Sequence, residues 1–350
     1  MRAVLSKLSM LILAAVQLPR ALAAPGAGRR QSTCTDPTIR VEWNTLTEDE
    51  KAAYFAAELC LLQLPAQTDI PYAVSRYDDL VGTHQQQSDL VDNNDFWHVT
   101  GQFVHVHRYY VHTHETVLRN ECGYTGALPY WNESVDAGAF AASPVLLDFG
   151  GNGSEDNDWA VIDGPFANLT RTLSATAGTN HLLAREVDET TSIRVGPTYV
   201  DALLASDTLA EFRHSLGVVA NTDIGIHVDG HAGVGGDMVN VATSPNDPLF
   251  WMHHGFVDYV RSVRLLSRVL CGADVRVVYL VQLWWKWQGD NETRINDLNN
   301  LGYESQKEPA TGYVETNGAT VLYMYDIVPN ATVADVLYTQ GGLLCYTYAV

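Results

Sequence analysis

The residues of this chain most suited to chemistry are its histidines. There are twelve, at positions 84, 98, 105, 107, 112, 114, 181, 214, 227, 231, 253 and 254, and most fall in two clusters about 120 residues apart. Neutral imidazole is the commonest protein ligand for transition metals. His227 and His231 are spaced i, i+4, which on a helix puts both rings on one face, one turn apart, as chelation requires. The zinc-protease form of this pair needs Glu directly after the first His, and here that residue is Val228. A third ligand can come from His253 or His254, in the run Asp247-Pro-Leu-Phe-Trp-Met-His-His-Gly-Phe-Val-Asp258. In the first cluster His98 and His107 are nine apart, half a turn net on one continuous helix. They meet at one metal only if His98 lies in a loop and His107 inside a helix. Gly101 permits that break, and His84, in the polar segment VGTHQQQ, is the third candidate. Two sets of three imidazoles, with no thiolate or carboxylate near them, suit copper better than magnesium, calcium or iron–sulfur, while spacing alone leaves zinc open.

The elements that must carry these rings are helices. Residues 45–64 predict a helix with Thr47 as N-cap, Glu50 three residues on and Pro65 as its stop. A second helix is predicted from about Phe103 to Arg119, a third from Tyr199 to His214, one around His227 and His231, and one beginning near Asp247-Pro248. Residues 134–198 are rich in Gly, Asn, Asp, Ser and Thr and read as loops with short ordered pieces. Thr320 to Asp326 and Leu343 to Tyr348 read as strands. The expected fold is mainly α: a helical bundle around the histidines with a small β-rich closure at the C-terminus, in one domain spanning 31–350.

At these residues the sequence resembles the tyrosinase family of type 3 copper proteins, and within it the short secreted fungal catechol oxidases. His98-(8)-His107-Arg108 with Glu115 resembles the first copper motif, and Glu121-Cys-Gly-Tyr-Thr-Gly with Pro129-Tyr-Trp the stretch that follows it. His227-x-x-x-His231, Gly235-Gly-Asp-Met238 and Asp247-Pro-x-Phe-Trp-x-His-His254-x-x-x-Asp258 resemble the second. Arg40-Val-Glu-Trp43 and Cys345-Tyr-Thr-Tyr348 match the family's paired end markers, so the resemblance runs from about residue 34 to 350.

The resemblance implies His84, His98 and His107 on one copper ion and His227, His231 and His254 on a second. His254 takes the ligand position rather than His253 because it lies four before Asp258, which is itself expected to accept a hydrogen bond behind a ligand. It implies oxidation of o-diphenols to o-quinones with reduction of O2 to water. Monophenol-hydroxylating tyrosinase and a hemocyanin-like O2 carrier are the alternatives. Val228 stands where hydroxylating members often have Asn, which favours diphenol oxidation. Val228, Ala232, Phe250 and His253 are the candidate substrate-pocket residues. Phe96 replaces the Cys that some relatives link to a His, so no thioether is expected, and Val106 replaces a frequent aromatic residue. His105 and His112 are expected on a more exposed helix face, His114 packed near the site, and His181 and His214 at the surface. The end markers favour a Cys34–Cys345 disulfide, leaving Cys60–Cys122.

Composition bounds the rest. Lys and Arg number 21 against 41 Asp and Glu, a net charge of −20, which argues against nucleic acid or an anionic membrane surface as partner. The partners expected are a small phenol and O2. Arg2 and Lys7, the apolar run Leu8–Leu18 and Ala21-Leu22-Ala23 read as a signal peptide over 1–24, with Arg29-Arg30 as a dibasic processing site. Sequons at Asn132, Asn152, Asn168, Asn291 and Asn330 agree with a secreted, extracellular glycoprotein, and no other stretch is long and apolar enough for a membrane anchor. Because the chain stops two residues after Tyr348, no C-terminal plug of the kind long family members carry is expected. Residues 260–282 break the family pattern: without them Asp258-Tyr259 would run directly into Leu283-Trp-Trp-Lys-Trp-Gln288. They hold four arginines and the odd cysteine, Cys271, and read either as an insertion or as a retained intron.

Overall fold

Helix α1 (Glu48–Gln63) begins on a reciprocal cap, in which the Thr47 hydroxyl accepts the Glu50 N–H and the Glu50 carboxylate accepts the Thr47 N–H. Helix α2 (Arg76–Gln85) starts the same way on Ser75 and Asp78. These elements belong to a computed structural model that describes residues 34–349 except 91–93, 175, 177, 220–224, 259–287 and 290. The signal peptide, the dibasic site and the 260–282 segment with Cys271 lie outside the described residues.

Helix α3 (Phe103–Cys122) is buried along almost its whole length and stops where Gly123 takes a left-handed conformation. The stretch expected as one helix over 199–214 is two, α4 (Pro197–Leu204) and α5 (Leu209–Leu216). The chain breaks at Ser206-Asp207 because Thr208 caps a new start, its hydroxyl accepting the Glu211 N–H. Helices α6 (Ile226–Val234) and α7 (Leu249–Asp258) complete the set that carries the second histidine cluster. The fold is thus mainly helical, with α3 packed on α1 and α7.

The β structure joins the two ends of the described chain. Strand β1 (Thr38–Glu42) pairs in parallel with β2 (Pro129–Tyr130). Strands β3 (Val321–Leu322) and β4 (Ala331–Thr332) form a separate antiparallel pair. Strand β5 (Tyr346–Tyr348) lies parallel to β1, with Thr38 opposite Tyr346 and Arg40 opposite Tyr348. Disulfides Cys34–Cys345 and Cys60–Cys122 are both present, the first clamping the β1–β5 ends and the second tying α1 to α3. Among the described residues no helix is long and apolar enough to cross a membrane.

Candidate metal centre

His84 ends α2, and His107 sits one turn into α3. His98 precedes α3 in an irregular segment where Val99 has φ 57° and turns the chain. Loop and helix thereby bring His98 and His107 together, with ring centroids 5.1 Å apart and His84 4.8 Å from His98. At Gly101 any side chain would collide with Thr316 and the Leu301 carbonyl, so the break needs glycine for close approach as well as for flexibility. One potential ligand nitrogen from each of the three rings lies within 4.8 Å of the others.

The second cluster brings four rings equally close together: His227 and His231 from α6, and His253 and His254 from α7. The clusters face each other, with the His107 and His254 rings stacked at 4.5 Å and Phe103 and Phe250 packed among them. The histidine spacing does not by itself point to Phe103 as a member of the site. Its place one turn before His107 on the same helix face is the signal that could have found it.

The nitrogens are arranged as a metal would need. Nδ1 of His84, His107 and His231 bonds to the carbonyls of Ala242 (3.0 Å), Phe103 (2.9 Å) and Met238 (2.8 Å). Nδ1 of His98 meets the Asp95 carboxylate at 3.1 Å. These bonds hold the proton on Nδ1 and leave the Nε2 lone pair free for a metal. Nε2 of His84 and His107 and both ring nitrogens of His227 are buried without a hydrogen-bond partner. Nε2 of His231 and Nε2 of His254 point at each other across 3.3 Å. Bare nitrogens facing inward are costly unless something fills the gap between them. Burial pushes the pKa of His84, His107, His227, His231 and His254 well below the usual histidine value, so the rings are neutral. An all-imidazole donor set of this kind fits copper ions.

Several expectations need correction. Asp95 places a carboxylate beside the first cluster, contrary to the expectation of none there; an Asp three residues before a candidate ligand is the local signal for it. Asp258 accepts no hydrogen bond from a ligand histidine. It is buried between Arg40 and Arg108 and accepts from the hydroxyls of Tyr346 and Tyr348, tying α7 to β1, α3 and β5. His253, expected in the substrate pocket, is fully buried, with Nδ1 2.7 Å from the equally buried Glu133. His105 is fully buried rather than exposed, and His112 is half-buried, because α3 is covered on nearly every side. Asn132 is buried and its amide oxygen accepts from Ser134, so that sequon faces the interior. Asn152, Asn168, Asn291 and Asn330 lie at the surface. His114 stacks on Trp251 at 4.0 Å beside Glu58, His181 bonds to Asp237, and His214 is exposed.

A cavity of about 510 Å³ opens over the clusters. His98, His227, Phe103, Val218, Val228 and Val241 line it, together with Asp95, whereas Ala232, Phe250 and His253 do not. Val228 therefore reaches the space a ligand would occupy.

The sequence matches the common central domain of tyrosinase over residues 74–263. It is 29% identical over 356 residues to Tyrosinase ustQ of Aspergillus flavus, covering 97% of this chain and 87% of that protein. It is 28% identical over 388 residues to N-acetyl-6-hydroxytryptophan oxidase ivoB of Emericella nidulans, covering 95% and 97%. Among solved structures, a variant of the polyphenol oxidase from Thermothelomyces thermophila superposes with TM-score 0.72 at 29% identity, over 90% of this chain and 89% of that one. Because the matched domain takes in more than half of the chain and every histidine of both clusters, this chain belongs to the tyrosinase family of dicopper oxidases.

Proposed function

We propose that the chain is a secreted oxidase that converts o-diphenols to o-quinones, using two copper ions held by His84, His98 and His107 and by His227, His231 and His254. Secretion rests on the N-terminal sequence and the four surface sequons. When bound, the copper pair supplies the route by which two diphenols give four electrons and four protons to O2, yielding two quinones and two waters. The chain holds the His84, His98, His107 and His231 rings by their Nδ1 contacts and the His227 and His254 rings by packing, with Phe103 against His227 and Phe250 against His254. His253, pinned by Glu133, is left outside the ligand set and packs against His231 at 4.5 Å.

The observation that carries the diphenol reading is the lining of the cavity. Around His227 the wall is apolar, with Val218, Val228 and Val241. The carboxylate that lines it, Asp95, is already committed to the His98 ring and to the N–H groups of Trp97 and His98. No described carboxylate lining this cavity is free to take the proton of a monophenol, which hydroxylation needs first.

The test is copper content followed by turnover of a catechol and of the matching monophenol. Two copper ions per chain, prompt catechol oxidation and little monophenol oxidation are expected. Comparable rates on both phenols would make the protein a tyrosinase, and reversible O2 binding without turnover would make it a carrier.

A further inference from the structure

Six arginines are buried among the described residues, and five are paired with carboxylates. Arg40 pairs with Glu115 and Asp258, Arg76 with Asp79 and Glu121, Arg108 with Asp258, Arg171 with Asp78 and Arg185 with Asp247. Arg213, on α5, is the exception. It is 3% exposed and has no acidic partner among the described residues, in a chain whose net charge is −20. Its two terminal nitrogens donate to the backbone carbonyls of Leu301 and Thr100, and its Nε makes no hydrogen bond. A guanidinium has five N–H donors, so two carbonyls leave an unused edge. Burial lowers its pKa to about 10, which still leaves it cationic at neutral pH. A buried cation without a counter-charge is costly, and proteins rarely keep one without a use.

Arg213 lines a cavity of about 330 Å³ together with Asn300, Gly302, Gln306 and Val99. The side-chain amides of Asn300 and Gln306 make no hydrogen bonds among the described residues, so they are available as further donors to the same space. Val99 and Gln306 also line the cavity over the histidines, which makes the two cavities neighbours with a shared wall. A ring seated over the histidines can extend a short acidic arm toward Arg213.

We propose that Arg213, with Asn300 and Gln306, forms a carboxylate-binding site beside the metal centre, occupied either by the acid group of a phenolic acid substrate or by a free small carboxylate. The first case rests on the diphenol-oxidase reading; the second does not. The planar guanidinium suits a carboxylate because it can give it two parallel hydrogen bonds.

The experiment compares KM for 3-(3,4-dihydroxyphenyl)propionate with that for neutral 4-methylcatechol on the copper-loaded full chain at low salt. It also measures the shift in melting temperature caused by acetate. If the substrate carries the acid group, the wild-type protein prefers the acid by about tenfold in KM, near the scale of one charge-assisted pair. Arg213→Gln then erases that preference and Arg213→Lys keeps part of it. If the site takes a free carboxylate, the two KM values are alike, and acetate raises the melting temperature of wild-type protein but not of Arg213→Gln. No preference together with no acetate effect on the wild-type protein, a readout independent of either variant's folding, overturns the proposal. So does a preference that survives in a folded Arg213→Gln variant. Failure to oxidise any catechol would overturn the oxidase reading instead, and the acetate measurement would still report on this site.

Discussion

Asp95 holds the ring of His98 and the turn that presents it. One carboxylate oxygen lies 3.1 Å from Nδ1 of His98, and the other accepts the N–H groups of Trp97 and His98 at 2.8 and 2.6 Å. The other anchored rings use backbone carbonyls, on Ala242, Phe103 and Met238. His98 comes from an irregular segment and has no regular backbone beside its ring to serve that purpose, so a side chain does so.

This contact separates fold from ligation in Asp95→Asn. The amide oxygen can keep accepting the two N–H groups, while the amide nitrogen faces the ring as a donor. His98 must then offer Nδ1 as acceptor and carry its proton on Nε2, where the metal has to bind. Copper retained after dialysis is expected to fall from about two toward about one per chain, consistent with a roughly 10–100-fold loss of affinity at one site. The circular dichroism of the metal-free protein should not change. Full copper retention would show that the ring needs no such anchor.

Asp258 should matter for stability in its own right. Asp258→Asn leaves Arg40 and Arg108 with less counter-charge in a fully buried cluster, although Arg40 keeps Glu115. Loss of one member of such a buried group costs about 3–5 kcal/mol, and denaturant unfolding of the metal-free protein should show a loss in that range. A change below about 1 kcal/mol would mean that the neutral amide satisfies both guanidiniums.

Val228→Asn places an amide on the cavity wall next to His227. It can hold a water beside an incoming phenol and assist its deprotonation. The ratio of monophenol to diphenol oxidation is expected to rise severalfold, whereas Val228→Ala should leave it low. An unchanged ratio in Val228→Asn would place the control of hydroxylation elsewhere in the cavity.

Acid sensitivity should trace in part to His112. Burial is the main cause that lowers its pKa to about 4, with Arg40 and Arg119 acting the same way and Glu115 opposing them. In the unfolded chain the ring titrates near 6.5, so between that value and about 4 the unfolded state binds the extra proton. Stability therefore falls as pH drops through that window and is fully present above it. At pH 5 the cost is about 2 kcal/mol relative to pH 7. Urea unfolding of His112→Asn at both pH values should show a smaller drop than wild type by about that amount; equal drops would assign the sensitivity to other groups.

How far the site was legible in the sequence follows from range. The i, i+4 spacing of His227 and His231, the cap at Thr47 and the need for a break between His98 and His107 are local rules, and short-range geometry enforces them wherever the chain goes. The resemblance added the disulfide pairing, because the Cys34 and Cys345 segments carry their own motifs. What local rules did not reveal is decided by packing between distant segments. His105 is buried because α3 lies at the centre and not at an edge, and no periodicity within α3 says which of its faces will be covered. Asp258 faces Arg40, 218 residues away in sequence, rather than the candidate ligand His254 four residues before it. His253 and His254 are chemically alike in sequence, and only the fold gives one of them, His253, a carboxylate partner in Glu133, 120 residues earlier. Arg213 is ordinary in its helix and becomes notable only when the fold buries it with no acid beside it among the described residues. The sequence by itself determined the candidate metal-binding residue types, their local spacing and the helices that carry them. Only the tertiary structure decided which polar groups meet in the interior, because burial turns an ordinary side chain into one that must find a partner.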